Sequence, residues 1–152
     1  MTASKKSEIN HLFVKVFNGI LSWEEQSFKE MGFKKLSLRE LHVIEAVYYL
    51  MKDGKNKMSE IAAYLSITPG SLTTSVNCLV KKGYLAREND PDDRRVVKIV
   101  PTKIAEEANE IHNKFHMEMI DKVFSSIEEK SIDVLSCALS KLDDIFGNEK
   151  RR

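Results

Sequence analysis

Between Thr68 and Val100 the spacing of apolar residues switches from a helical period to a period of two, and this switch constrains the fold more than any other feature. Thr68-Pro69 reads as an N-cap followed by proline at the first helical position, where the missing N–H costs nothing. Leu72, Val76, Leu79 and Val80 continue that helix, Lys81 and Lys82 complement the dipole of its last turn, and Gly83 supplies a left-handed stop. Beyond it, 84–87 and 96–100 alternate as short strands, joined by the turn-rich and charged 88–93. Upstream, 58–65 is a short helix with Ile61, Ala62 and Leu65 inward, joined to the next by Ser66-Ile67. A short helix, a tight turn, a second helix and a two-stranded hairpin spell a winged helix-turn-helix.

The flanking segments are helical. Ile9, Leu12, Phe13, Val16, Phe17, Ile20 and Leu21 recur at the helical period, so a helix is expected over about 8–31, with the polar residues 1–7 frayed. Ser37-Leu38-Arg39-Glu40 is a capping box that opens a helix carrying Leu41, Ile44, Val47, Tyr48 and Met51, and 52–56 is a turn. Pro101-Thr102 ends the hairpin and caps a long helix with Ile104, Ala108, Ile111, Phe115, Met119, Ile120 and Val123. A last helix carries Ile132, Leu135, Ala138, Leu139, Leu142 and Ile145, and 147–152 is read as a loose tail. The expected fold class is mainly α with a small β-hairpin wing. Residues 1–152 form one domain, with a DNA-binding part at about 37–101 and dimerisation helices at about 8–31 and 102–146. The helices outside the DNA-binding part are too apolar for a chain of 152 residues to bury easily, and their surplus faces call for a partner chain.

Composition excludes several classes. With 42% hydrophobic and 31% charged residues the chain suits a soluble globular protein, and no stretch approaches the length of a membrane span. The N-terminus lacks the apolar core of a signal peptide. The two cysteines, Cys78 and Cys137, are far apart and fit a reducing compartment, so the expected location is the cytoplasm. Both are expected to be small core or interface residues rather than sensors. A net charge of +1 is silent about nucleic acid, because what matters is where the positive charge sits. No P-loop, nucleophile elbow or clustered acid/base pair is present, so no enzyme is expected.

The exposed face of the second helix of the pair is dense in short hydrogen-bonding side chains. Gly70, Ser71, Thr73, Thr74, Ser75 and Asn77 offer hydroxyls and an amide that suit phosphate oxygens or base edges, and threonine methyls suit thymine methyls. Serine and threonine are mediocre helix formers, so an idle surface would more often carry Glu, Lys or Ala. Ser59, Thr68 and Lys81 complete the helical part of the expected DNA-contacting set. At the hairpin tip, Asp92-Asp93-Arg94-Arg95 places two guanidiniums where they can enter a narrow minor groove. Asp93 is expected to contact Arg95 and hold its side chain extended. By itself that cluster would be an ordinary surface ion-pair group of little energetic worth; beside the preceding helix it joins the DNA set as Asp93, Arg94 and Arg95.

The run from Met58 to Ala105 closely resembles the MarR family, above all in Asp-Pro-Asp-Asp-Arg-Arg-Val-Val at 90–97 and in Lys98-Ile99-Val100-Pro101-Thr102. It departs from the family pattern at Lys103-Ile104-Ala105, where a glycine often sits. The resemblance implies a homodimeric, sequence-specific transcriptional regulator with intertwined terminal helices. A two-fold dimer implies a pseudo-palindromic duplex operator with half-sites about one helical turn apart.

The segments 16–25, 36–45 and 111–116 resemble the FabT branch of that family, repressors of fatty-acid synthesis genes in Gram-positive bacteria. That resemblance implies long-chain acyl-acyl carrier protein as co-repressor, with Phe17, Leu21, His42, Phe115 and Met119 as candidate lining for the acyl chain. An aromatic and methionine stripe at helical spacing is equally what plain core looks like. No separate basic docking patch for an acidic carrier stands out, although Lys5, Lys6, Lys29, Lys34, Lys35 and Arg39 are available. The alternative is a repressor released by a small apolar or aromatic ligand and controlling efflux, stress or catabolic genes. From another class, a winged helix that has lost DNA binding and serves protein contacts would lack the wing arginines. His112 and His116 stand four apart on one helix face, a possible ligand pair, but no third ligand has an obvious spacing. They are read as a polar spot in the dimer interface, and neither metal nor cofactor is expected.

Overall fold

The computed structural model describes residues 2–33 and 35–149. Among the described residues six helices and one hairpin follow in order: α1 (Ala3–Glu30), α2 (Leu38–Met51), α3 (Met58–Leu65), α4 (Pro69–Lys81), β1 (Leu85–Asn89), β2 (Val97–Pro101), α5 (Lys103–Phe124) and α6 (Glu129–Glu149). The chain forms two compact units, one through His42 and the other from Val43 onward.

In the first unit α1 begins earlier than its apolar rhythm suggests. Thr2 is the N-cap, its Oγ1 accepting from the Lys5 N–H at 3.3 Å, so the polar start expected to fray is helical from Ala3. The α2 capping box forms as read: Glu40 accepts from the Ser37 backbone N–H at 2.8 Å, and Ser37 Oγ accepts from the Glu40 N–H at 3.3 Å.

In the second unit the core is an inner layer of aliphatic side chains. Ile44, Val47, Ile61, Leu72, Val76, Leu79 and Ile99 are fully buried, and Val43 and Leu85 nearly so. Helix α4 packs against α3 and β1, and β2 against α3 and α5, so the hairpin completes the helical core. The turn between α3 and α4 places Ser66 at φ 56, a left-handed residue that closes α3 through its N–H to Ala63 O at 3.1 Å. Gly83, at φ 83, stops α4 where the sequence places the stop.

The strands sit one to two residues later than the alternation suggests, at 85–89 and 97–101, paired antiparallel with Leu85 opposite Pro101 and Asn89 opposite Val97. Proline is tolerated there because it ends its strand. Thr102 occupies the N-cap position of α5 but makes no side-chain cap; its hydroxyl donates to Gly83 O at 2.7 Å and to Tyr84 O at 3.1 Å, which ties the start of α5 to the end of α4. The C-terminal helix extends to Glu149, through the first residues of the expected tail, and 150–152 lie outside the described residues.

The segment 52–56, read as a turn, also ends in a structural residue. Asn56 is buried, its Nδ2 donates to Ile99 O at 2.8 Å, and its own carbonyl accepts from Ile99 N–H at 2.9 Å. A bridge between Lys57 and Lys98 continues this third edge of the hairpin. Asn56→Ala would leave a buried carbonyl without its amide donor, so a loss of about 1–3 kcal/mol is expected. Urea denaturation checks it, and an unchanged midpoint would mean that the Asn56 amide is not the anchor of the wing.

Candidate nucleic-acid interface

Helix α4 has two faces. Leu72, Val76 and Leu79 are buried on one, while Gly70, Thr74, Asn77 and Lys81 follow at helical spacing along the exposed one. Ser71 and Thr73 flank that stripe and are exposed, as are Thr68 at its start and Ser59 on α3; Ser75 is half-buried. The N-terminus is set by Thr68, whose Oγ1 accepts from the Ser71 N–H at 3.2 Å and donates to Ser71 Oγ at 3.0 Å. Thr73 donates its hydroxyl to Pro69 O at 2.8 Å, and Thr74 donates to Gly70 O at 3.1 Å. With those hydroxyl protons returned to the helix, what these two threonines offer outward is oxygen lone pairs and methyl groups. Such groups match base amino donors and thymine methyls better than phosphate oxygens.

The wing tip is organised by its aspartates acting on the backbone. Asp90 accepts from the Asp92 N–H at 2.9 Å and pairs with Lys98 Nζ at 2.7 Å, while its own N–H donates to Val96 O at 2.8 Å. Asp93 accepts from the Arg95 backbone N–H at 3.0 Å. The expectation that Asp93 orients the Arg95 side chain is thereby corrected, since its carboxylate fixes the turn that carries the arginine. This is what a short carboxylate does two residues before a free amide in a tight loop. Arg94 and Arg95 are exposed.

The Asp90–Lys98 pair has a pH signature. The Lys98 ammonium, then the Asp92 N–H, hold the Asp90 carboxyl below its ordinary 3.8, and Asp90 holds Lys98 above its ordinary 10.5. A depressed carboxyl stabilises the fold above its unfolded pKa, and this is lost as pH falls through the folded value. A raised lysine stabilises below its unfolded pKa, and this is lost as pH rises through the folded value. The wing tip is therefore expected to keep its order from about pH 4 to about pH 10 and to loosen on either side. Amide exchange of the Asp90, Asp92 and Arg95 N–H groups reads this out, and Asp90→Asn should remove the acid limb. Protection that ignores pH across both limits would contradict the pairing.

One residue of this surface carried no signal in the sequence. Arg87 on β1 donates from Nη2 to Asn77 Oδ1 at 2.6 Å, linking wing strand to helix α4. Both are exposed, so the pair belongs to the same surface as the hydroxyl stripe. With its acceptor engaged, Asn77 presents its amide donors outward, which suits phosphate or purine acceptors.

The candidate acyl-lining residues fall in both units. In the first, Phe17 and Leu21 are exposed on α1, and His42 Nε2 lies 2.8 Å from Oε1 of the buried Glu24. In the second, Met119 is buried and Phe115 half-buried, with the Phe115 ring 6.4 Å from that of His112. A separate cavity of about 150 Å3 in the second unit is lined by Glu45, Tyr48, Tyr49, Lys52, Asn109 and Asn113. Lys34, one of the basic residues considered for carrier docking, lies outside the described residues. Cys78 is half-buried on α4 and Cys137 exposed on α6, both as free thiols. No helix among the described residues is long and apolar enough to cross a membrane.

A helix-turn-helix pair with an ordered basic wing beside it is the fold of the winged helix-turn-helix transcription regulators. The chain belongs to the MarR family, whose model matches residues 36–97. It is similar to the Streptococcus pneumoniae FabT solved in complex with DNA, at 31% identity and a TM-score of 0.82, covering 94% of this chain and 98% of that one. YkoM of Bacillus subtilis strain 168, an uncharacterized regulator of the helix-turn-helix type, is 28% identical over 86% of this chain and 80% of its own length. The Staphylococcus aureus MepR solved with DNA shares the fold at a TM-score of 0.74 and 17% identity, covering 90% of this chain and 95% of that one. Members of this family regulate transcription by binding DNA and are not enzymes.

Proposed function

We propose that this regulator acts as a homodimer in the cytoplasm and represses fatty-acid synthesis genes, with long-chain acyl-acyl carrier protein as co-repressor. Its contact set with the operator comprises Ser59, Thr68, Gly70, Ser71, Thr73, Thr74, Ser75, Asn77, Lys81, Asp93, Arg94 and Arg95, to which Arg87 is added. The observation that carries the DNA part is the exposed α4 stripe standing beside an ordered wing with two exposed arginines. The similarity to FabT over nearly its whole length supports the choice of regulated genes. Dimerisation is supported by apolar faces exposed in the single chain: Ile9, Leu12, Phe13, Val16, Phe17 and Ile20 on α1, Ile111 and Ile120 on α5, and Leu135 and Leu139 on α6. A partner that covers them removes apolar area from water at about 25 cal/mol per Å2.

Fluorescence anisotropy with labelled duplex from a fatty-acid-synthesis promoter tests the reading, with and without long-chain acyl-acyl carrier protein. Tighter, sequence-dependent binding with the acylated carrier is the expected result. Binding indifferent to the carrier would overturn the co-repressor and favour release by a small ligand. The aromatic-lined cavity at Tyr48 and Tyr49 is the specific observation behind that second reading. In the same assay Arg87→Ala is expected to weaken binding roughly tenfold, about 1.4 kcal/mol, by releasing Asn77 and removing a cation. An unchanged dissociation constant would remove Arg87 from the interface.

A further inference from the structure

Arg87 and Asn77 join the wing to helix α4 through a bond of 2.6 Å from Nη2 to Oδ1. A guanidinium can only donate, so the amide atom facing it is the oxygen, and the Nδ2 protons are left for other partners. The place of Arg87 is set by the core beneath it. Arg87 pairs across the hairpin with fully buried Ile99 and stands two residues from buried Leu85, on the same face of β1. Asn56 in turn holds Ile99 at both its N–H and its carbonyl. The arginine stem therefore starts from the inner face of the hairpin, where β1 packs against α4, and its head emerges exposed beside Asn77.

We propose that Arg87 is a positioning residue that makes Asn77 a reader of guanine in the operator's major groove, which rests on the reading of α4 as the DNA-contacting helix. A free asparagine reads adenine with both ends of its amide, accepting from N6 and donating to N7. Here the oxygen is engaged, and an adenine amino group brought to its second lone pair would stand beside a cation. The pair offers the groove donors alone, namely the Nδ2 protons and the guanidinium N–H groups not bonded to Oδ1. Guanine presents two acceptors on its major-groove edge, O6 and N7. Adenine presents one acceptor beside a donor, thymine one beside a methyl group, and cytosine only a donor. Three residues earlier on α4 the sense is reversed. Thr74, with its proton returned to Gly70 O, offers lone pairs and a methyl, which suit the N6 donor and the thymine methyl of an A·T pair. Thr74 and Asn77 are about 4.5 Å apart along the helix axis, comparable to the step of about 3.4 Å between base pairs. The reading face thus has a polarity, with A·T under Thr74 and G·C under Asn77 close by.

Selection from a library of randomised duplexes by the full-length protein tests this, followed by affinities on duplexes changed at single base pairs. The expected wild-type motif holds a G·C pair whose change to A·T weakens binding about tenfold or more, with an A·T pair next to it or one step beyond. In Arg87→Ala the freed Oδ1 accepts from adenine N6, so that penalty is expected to fall below about threefold, whatever the overall loss of affinity. Arg87→Lys keeps a donor for Oδ1 and should restore much of the guanine preference. Asn77→Asp keeps the contact with Arg87 as an ion pair but has no amide donor, so it should lose that preference with its circular dichroism unchanged. An Arg87→Ala motif identical to the wild type's would make Arg87 a phosphate contact, with affinity lowered alike on every duplex and the salt slope reduced by about one, and would overturn the proposal. Guanine preference that survives Asn77→Asp would equally overturn it. A wild-type selection that enriches no motif would overturn the DNA reading itself, and the proposal with it.

Discussion

Leu79→Ala is expected to lower the stability of the protein by about 2–5 kcal/mol, the range for removing a large aliphatic side chain from a packed site. Leu79 is fully buried on the inner face of α4, the helix that packs on α3 and β1. Close-packed neighbours collapse only partly into such a void, so the transfer term is joined by a cavity term. For a chain of this size the midpoint of thermal unfolding should fall by roughly 5–15 °C. Thr74→Ala is the control. It stands on the same helix but exposed, and should change stability by no more than about 0.5 kcal/mol. Its expected effect is on DNA affinity and sequence preference. If Thr74→Ala destabilised the fold as much as Leu79→Ala, the division of α4 into an inner and a reading face would be wrong.

Arg94→Ala and Arg95→Ala are each expected to weaken duplex binding roughly ten- to a hundredfold at low salt. A hydrogen bond made by a charged group contributes about 1.5–3 kcal/mol. The turn that holds these residues is fixed through Asp90 and Asp93, so little wing order has to be created on binding. An arginine in the minor groove discriminates by groove width and potential, so its loss should relax preference for A·T-rich flanks. An arginine on phosphate should instead lower the salt dependence by about one counterion per contact and leave the sequence preference alone. Measuring affinity against salt on two duplexes that differ only in the flanks separates these roles. Neither variant changing affinity would take the wing out of the DNA surface.

Legibility in the sequence followed the range of each interaction. The turn into α4, its proline, the glycine stop and the α2 capping box act within four residues, and each forms where the local pattern places it. Boundaries moved where a local signal was weak. Thr2 caps α1 without an apolar rhythm beside it, and pairing with the partner strand carries the strands one or two residues past their alternation. Asp93 was singled out for its proximity to Arg95, but its role follows from backbone geometry that a charge pattern does not encode.

The sequence by itself determined the order of elements, the hydroxyl-rich face of α4 and the basic tip of the wing, because periodicity, caps and turn residues are short-range properties. Only the tertiary structure decided who meets whom. Arg87 reaches Asn77 across ten residues, Asn56 anchors Ile99 across 43, and Glu45 on α2 faces His112 and His116 on α5. The physical reason is the same each time. These partners are selected by how helices and strands pack once apolar faces have been buried, and no repeat along the chain records that distance.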